Sequence, residues 1–335
     1  MQALSTGQIR RCARGVVEVI EEEGGIRFRR FPPQVLEYYH SCGEGRAIRA
    51  DCTAGVVLAF ETDSRRLRLE AELPAGARSF GYADLYVGGR FFAALGETPS
   101  TGRIAREVEL PGRDEEGQVV ELHLAHCRTT VLKSLALSDG AHSHAVAEHP
   151  PWLAIGDSIT QGMNALHPSL IYPVAAARLL GVPVHNAGVG GAVFDTETLR
   201  VPLVDSPQFI TVGYGINDFN GGSDAAPTGP YLERLRELYP DVAVVVLEPT
   251  WSPGEGLDCD PEPNAAGITL REYRHQLRDV VADFEGMCCL RANKLLPPVP
   301  EFVPDGVHPD TVGHQVMGAN LKELLIDETT AIVPF

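Results

Sequence analysis

Ser158 stands in the stretch "AIGDSITQG", residues 154–162, directly after an aspartate and where an apolar run gives way to a polar turn flanked by glycine. A serine hydroxyl is a weak nucleophile until a base takes its proton, and a histidine held by a carboxylate is a recurring solution. The chain carries such a pair in "DGVHPD", where Asp305 precedes His308 by three residues. His308 has the chemistry of the base, and Asp305 that of the group that fixes its tautomer and stabilises the imidazolium. Acyl transfer also needs preorganised donors for the oxyanion that develops on the attacked carbonyl. The backbone N–H groups of Ser158 and of Gly191, in "NAGVGG", and the side-chain amide of Asn217, in "GYGIND", would provide them. Glycine at 191 lets the backbone approach a substrate closely.

Each of these segments needs an element to hold it. From Trp152 onward the runs "WLAIG", "VPVHNAG", "FITVGYG", "VAVVVLEP" and "MCCLRA" are almost continuously apolar. Runs of that kind are strands of a parallel sheet covered by helices on both faces. Amphipathic stretches at about 172–180, 229–238, 269–284 and 311–325 predict the helices between them. The βαβ order gives a three-layer αβα, flavodoxin-like domain with a parallel sheet of about five strands, and such sheets bind ligands beyond the carboxyl ends of their strands. The four polar segments fall at such ends. Up to Ala147 the pattern differs: "GVVLAFETDS", "RLRLEAELP" and "QVVELHLAH" alternate with period two between glycine, proline and charged turns. That predicts antiparallel strands in a jelly-roll-like β-sandwich, with no long helix interrupting them. Pro150 and Pro151 mark the break, dividing the chain into an accessory domain, 1–149, and a catalytic domain, 150–330.

Composition removes several functional classes. The formal net charge of −17 opposes binding to phosphate backbones and to anionic lipid, so neither nucleic acid nor a membrane surface is an expected partner. The apolar fraction of 44% is ordinary for a globular protein, and no apolar run has the length of a bilayer crossing. The N-terminal "MQALSTGQIRRCARG" has basic residues with no apolar segment behind them, which argues against a secretory signal and for a cytoplasmic location. Seven cysteines without CxxC spacing indicate neither a disulfide framework nor a zinc ribbon. His142, His144 and His149 lie in the expected linker, and His123 and His126 should face opposite sides of a strand, so structural roles are expected and no metal. "GVGGAV" has Val193 where a dinucleotide fingerprint needs a small residue, so no nucleotide cofactor is expected either. Asp157 is read as ordering its loop and Asp218 as structural.

"GDSITQG", "NAGVGG", "GYGIND" and "DGVHPD" resemble, in order, the four blocks of the SGNH, or GDSL, hydrolase superfamily, across residues 152–325. "GYADLY", residues 81–86, resembles the Gly-x-Asp-Leu-Tyr signature of a β-rich N-terminal domain fused to some of these esterases. The resemblance implies Ser158 as nucleophile, Gly191 and Asn217 in the oxyanion hole, Asp305 and His308 as acid and base, and no cofactor. Ala192 departs from it, since many relatives have a polar residue there. The implied reaction is hydrolysis of a small O-acyl ester. Transfer of the acyl group to an alcohol of a natural product or sugar would use the same acyl-enzyme. A carbohydrate-binding protein with a vestigial site is the third alternative, disfavoured by the complete residue set. Leu85 and Tyr86 are expected to pack the sandwich, Asp84 to brace a turn or the domain interface, and the proline-rich stretch 248–267 to line one side of the pocket.

Overall fold

The computed structural model describes residues 1–74, 76–111, 117–252 and 262–327. Numbered along the chain, one antiparallel sheet has the order β3 (Glu18–Glu22), β4 (Gly25–Arg29), β11 (Val131–Leu137), β6 (Arg66–Glu72), β9 (Arg103–Glu109), with β1 (Gln2–Ala3) also on β11. The other runs β12 (His144–Ala145), β5 (Val57–Thr62), β10 (Gln118–His123), β7 (Gly81–Val87), β8 (Arg90–Glu97), with β2 (Ala13–Arg14) also on β5. Alternation along β6 buries Leu67, Leu69 and Ala71 and leaves the charged residues between them outside. They share one hydrophobic cluster with Leu58 and Phe60 of β5 and Val120 and Leu122 of β10, so the two sheets close on a common core.

The second half contains the parallel sheet, five strands in the order β14 (Val184–Gly188), β13 (Trp152–Gly156), β15 (Ile210–Gly213), β16 (Val244–Leu247), β17 (Met287–Leu290). Every residue of β13, β14 and β16 is buried, which is why β13 and β16 read as unbroken apolar runs, while in β14 the buried His185 and Asn186 interrupt the run. The helices α5 (Tyr172–Leu180), α7 (Thr228–Leu238), α8 (Leu270–Ala282) and α10 (Thr311–Asp327) cover it, α5 packing with α10 and α7 with α8. Thr269 and Glu272 form a reciprocal capping box that starts α8, and Gly181 in the left-handed region ends α5. The strand order reverses direction at β13, the position where this kind of sheet opens a crevice.

The first half is not free of helix. It contains α1 (Thr6–Cys12), α2 (Pro33–Ser41) and α3 (Glu44–Asp51), each too short to show a periodicity that stands out from the strands around it. The helix α1 packs with the strands, Ile9 and Cys12 joining their core, but α2 and α3 do not: Val35, Leu36, Tyr39 and Ala50, with Phe31 just before them, belong to the core of the parallel sheet. Arg30 fastens this segment. It is 1% exposed and donates to the carbonyls of Arg49, Ala50 and Cys52 on one side and of Asn186 and Gly188 on the other. Gly55 completes the junction: a Cβ there would stand 2.6 Å from that of Asn186, and its φ of +73° suits glycine. As a result α3 lies beside the loop after β14. His126 also departs from expectation. It follows the end of β10 in a turn, buried, with Nε2 3.1 Å from the Gly162 carbonyl and 3.0 Å from that of Ala165. Among the described residues no helix is long and apolar enough to cross a membrane. Of the stretch 248–267, residues 253–261 lie outside the described residues, Cys259 among them.

Candidate active site

Three loops at the carboxyl ends of β13, β14 and β15 meet the loop that precedes α10. After β13, Asp157 caps the single-turn helix α4 (Ser158–Gln161), its Oδ1 accepting the Ile159 N–H at 2.9 Å. One turn has little macrodipole, so the backbone N–H groups themselves, rather than a helix field, are what Ser158 offers an anion. The Ser158 hydroxyl lies 2.9 Å from His308 Nε2, and His308 Nδ1 lies 2.8 Å from Asp305 Oδ2. With the ring proton on Nδ1, the imidazole donates to Asp305 and accepts from Ser158. Asp305 Oδ1 is fixed in turn by the N–H groups of Val307, at 3.0 Å, and His308, at 2.7 Å. This tight Asx-type turn is why aspartate and histidine three residues apart face each other.

The electrostatics suit proton transfer. Burial pulls His308 below the ordinary histidine pKa; its bond to Asp305 opposes this, and the charges of Arg78 and Arg49 add to it. The ring is therefore neutral near pH 7 and open to a proton. Burial by itself would raise Asp305, but the hydrogen bonds from His308, Val307 and Asn164 outweigh it and hold the carboxyl well below the usual range. Asp157 and Asp218 behave differently. Burial pushes Asp157 up to about 7, and Asp218 up to about 6. Each accepts a single backbone N–H, from Ile159 and Phe194, consistent with carboxyls that order the loops.

The oxyanion-hole candidates are linked through their neighbours. Asn217, in α6 (Ile216–Asn220), donates from Nδ2 to the Ala192 carbonyl at 2.9 Å and reaches Asp157 Oδ2 at 3.4 Å. The longer contact is at the limit of a hydrogen bond and leaves that hydrogen for a better acceptor. Ala192 thus contributes a carbonyl, for which no polar side chain is needed. Gly191 has φ +82°, the left-handed conformation that favours glycine. The N–H groups of Ser158 and Gly191 have no acceptor among the described residues. Replacing Asn217 with alanine is expected to lower kcat on an activated ester by about 10²–10³-fold with KM little changed, the signature of an amide that serves an oxyanion present only in the transition state. Steady-state kinetics check this, and an unchanged kcat would remove Asn217 from the site.

Several residues around this centre carry no sequence signal. Asn164, in the left-handed region at φ 73°, donates from Nδ2 to Asp305 Oδ2 at 2.7 Å and accepts from Arg78 Nε at 2.8 Å. Arg46 donates to the Gly191 carbonyl at 2.9 Å and Arg49 to that of Gly190 at 3.2 Å. Asp84 braces the junction of the two halves. Fully buried in β7, it lies 2.9 Å from His167 Nδ1 and accepts the N–H and hydroxyl of Ser169 at 3.1 and 2.6 Å. Leu85 packs in the antiparallel core as expected, but Tyr86 does not. Strand alternation turns it toward the same side as Asp84, where its hydroxyl meets Ser169 and its ring lies under the Arg178 guanidinium.

Residues 154–316 match the GDSL-like Lipase/Acylhydrolase family. No curated protein matches the chain in sequence. Among solved structures, SsfX3, a salicylyl-acyltransferase of a tetracycline biosynthetic pathway, superposes with a TM-score of 0.79 at 21% identity, covering 96% of this chain and 95% of its own. A putative GDSL-like lipase from Bacteroides ovatus gives 0.75 at 17% identity, covering 99% and 97%. A carbohydrate esterase family 2 enzyme with a carbohydrate-binding domain, from Corynascus thermopiles, gives 0.60 at 15%, covering 87% and 98%. At these identities the likeness is one of fold, and it extends over both halves of the chain. Residues 154–316, which hold Ser158, Gly191, Asn217, Asp305 and His308, constitute a domain of the GDSL-like lipase/acylhydrolase family.

Proposed function

We propose that the protein is a serine esterase acting on small O-acyl esters, with Ser158 as nucleophile, His308 as base and Asp305 as its partner. Ser158 Oγ attacks the ester carbonyl while its proton passes to His308 Nε2. The tetrahedral oxyanion is received by the N–H groups of Ser158 and Gly191 and by the Asn217 amide. The C–O bond to the alcohol then breaks, and the departing oxygen takes the proton from His308. Water, giving its proton to the same nitrogen, attacks the acyl-enzyme; the acid leaves and Ser158 regains its proton. Residues 150–330 form the catalytic domain, and residues 1–149 an accessory domain that walls the cleft. The observation that carries this assignment is the continuous contact from Ser158 Oγ through His308 to Asp305, at 2.9 and 2.8 Å.

A fluorophosphonate tests it directly. The expected result is one adduct, found on the peptide containing Ser158, with loss of ester turnover in step with labelling and no adduct in Ser158→Ala. Turnover that survives in Ser158→Ala would reject the assignment. Absence of both labelling and turnover would restore the vestigial-site alternative.

Acyl transfer is the second reading. It is favoured by one observation: the fold is shared end to end, accessory half included, with a salicylyl-acyltransferase as well as with esterases. Water and an alcohol compete for the same acyl-enzyme, and the outcome depends on which one the cleft positions. Product analysis with and without sugar and phenolic acceptors decides between them, acylated acceptor supporting transfer and free acid alone supporting hydrolysis.

A further inference from the structure

Three arginines from the first 80 residues converge on the reacting groups. Arg46 and Arg49 of α3 hold the carbonyls of Gly191 and Gly190, and the Arg49 Nη1 atom stands 3.3 Å from where a Cβ on Gly191 would be. Arg78 reaches the opposite side, bonded to Asn164, which is bonded to Asp305. Both Arg49 and Arg78 act on His308 through space. All three are half-buried, and among the described residues none has a carboxylate within ion-pair distance.

Elsewhere half-buried arginines of this protein are matched, as Arg178 is to Glu121 and Arg278 to Glu248, or have their donors spent on several carbonyls, as Arg128 has. The cleft arginines differ. A guanidinium has five donors. Arg46 and Arg49 each spend one on a carbonyl, and Arg78 spends one on Asn164 and one on its neighbour's carbonyl. Neutral acceptors leave each guanidinium without an ion pair in direct contact, and three like charges held around one partly desolvated site repel. Asp305 and Asp218 stand nearby, Asp305 joined to Arg78 through Asn164 and Asp218 within the field of Arg46, but neither carboxylate contacts a guanidinium. A cleft of this kind gathers anions, and the planar guanidinium fork is suited to carboxylate or phosphate.

We propose that the substrate carries an anionic group, a carboxylate or a phosphate, which Arg49 and Arg78 bind beside the scissile ester with Arg46 adding to the field. This rests on Ser158 being the nucleophile. The anion can belong to the acyl half or to the alcohol half, and two matched sets of esters separate these. For the acyl half, mono-p-nitrophenyl glutarate is compared with p-nitrophenyl pentanoate. For the alcohol half, 4-acetoxybenzoate and 4-acetoxyphenyl phosphate are compared with methyl 4-acetoxybenzoate.

The expected result is a kcat/KM about tenfold or more in favour of the anionic ester in one set at low ionic strength, decreasing as salt is added. Arg49→Gln and Arg78→Gln should each reduce the anionic-to-neutral ratio about fivefold or more, and the matching lysine variants should keep part of it. The ratio within each variant cancels any general loss of activity, and the wild-type preference with its salt dependence needs no variant at all. Equal turnover of anionic and neutral esters in both sets, or a preference that persists in the double glutamine variant, would overturn the inference and leave the esterase assignment standing. Failure of wild type to turn over any ester, with no labelling of Ser158, would sink both.

Discussion

His308→Ala is expected to lower kcat on p-nitrophenyl acetate by roughly 10⁴–10⁶-fold while the variant remains folded. Among the described residues, Nε2 of His308 is the only side-chain nitrogen in hydrogen-bond contact with the Ser158 hydroxyl. Without it the attacking oxygen must lose its proton to water, and the departing alcohol must leave without an acid. What remains is the oxyanion hole and substrate binding, which in related triads retain about 10³–10⁴ over the uncatalysed rate. In the wild type, kcat/KM should fall as pH drops through the His308 pKa, because a protonated ring cannot accept the serine proton. Burial and the two nearby arginines place that pKa below the ordinary value. The acid limb therefore lies below about pH 6.5, the free-histidine value, and activity extends to more acidic pH than an unperturbed base would allow. A His308→Ala variant within tenfold of wild type would show that His308 is not the base.

Asp305→Asn is expected to cost about 10⁴-fold in kcat, the loss typical of placing an amide behind a catalytic histidine. The reason is visible in the acceptor count. Asp305 receives four donors: the N–H groups of Val307 and His308 on Oδ1, and the His308 ring and the Asn164 amide on Oδ2. An asparagine has one oxygen for these four. Whichever way its amide turns, an NH₂ group faces a donor, and the least disruptive relief is for His308 to move its proton from Nδ1 to Nε2. In that tautomer the ring cannot accept from Ser158. Loss of the negative charge also lowers the ring's basicity, so the acid limb of the residual activity should shift further down. Pre-steady-state kinetics with the pH profile check both parts. A kcat near that of wild type would reduce Asp305 to a turn-forming residue.

The legibility of the chain followed the range of its interactions. The strands β13 and β16 are buried on both faces, so burial wrote itself into the sequence as unbroken apolar runs. Strand ends in such a sheet are where ligands bind, so Ser158, Gly191 and Asn217 stood out by position as well as by type. Asp305 and His308 are three residues apart and fold onto each other through a local turn, which a linear reading can see. The helices α2 and α3 were not legible. Their few apolar residues are partners of the parallel sheet far along the chain, and their own periods are too short to announce it. Tyr86 was misread because whether an inward-facing residue meets its own sheet's core or the neighbouring half depends on which elements cover each face.

By itself, then, the order of residues determined the two kinds of sheet, the helices between the parallel strands, and the candidate side chains at the strand ends, since each of these is encoded by periodicity or by contacts close in sequence. Tertiary structure alone decided what surrounds the nucleophile. Arg49 meets Gly190 across 141 positions, Asn164 meets Asp305 across 141, and Arg78 meets Asn164 across 86. Contacts of that span leave no local pattern, because their energy depends on groups that become neighbours only in the finished fold, Asn164 and Asp305 within the parallel half and the two arginines where the first part of the chain meets it.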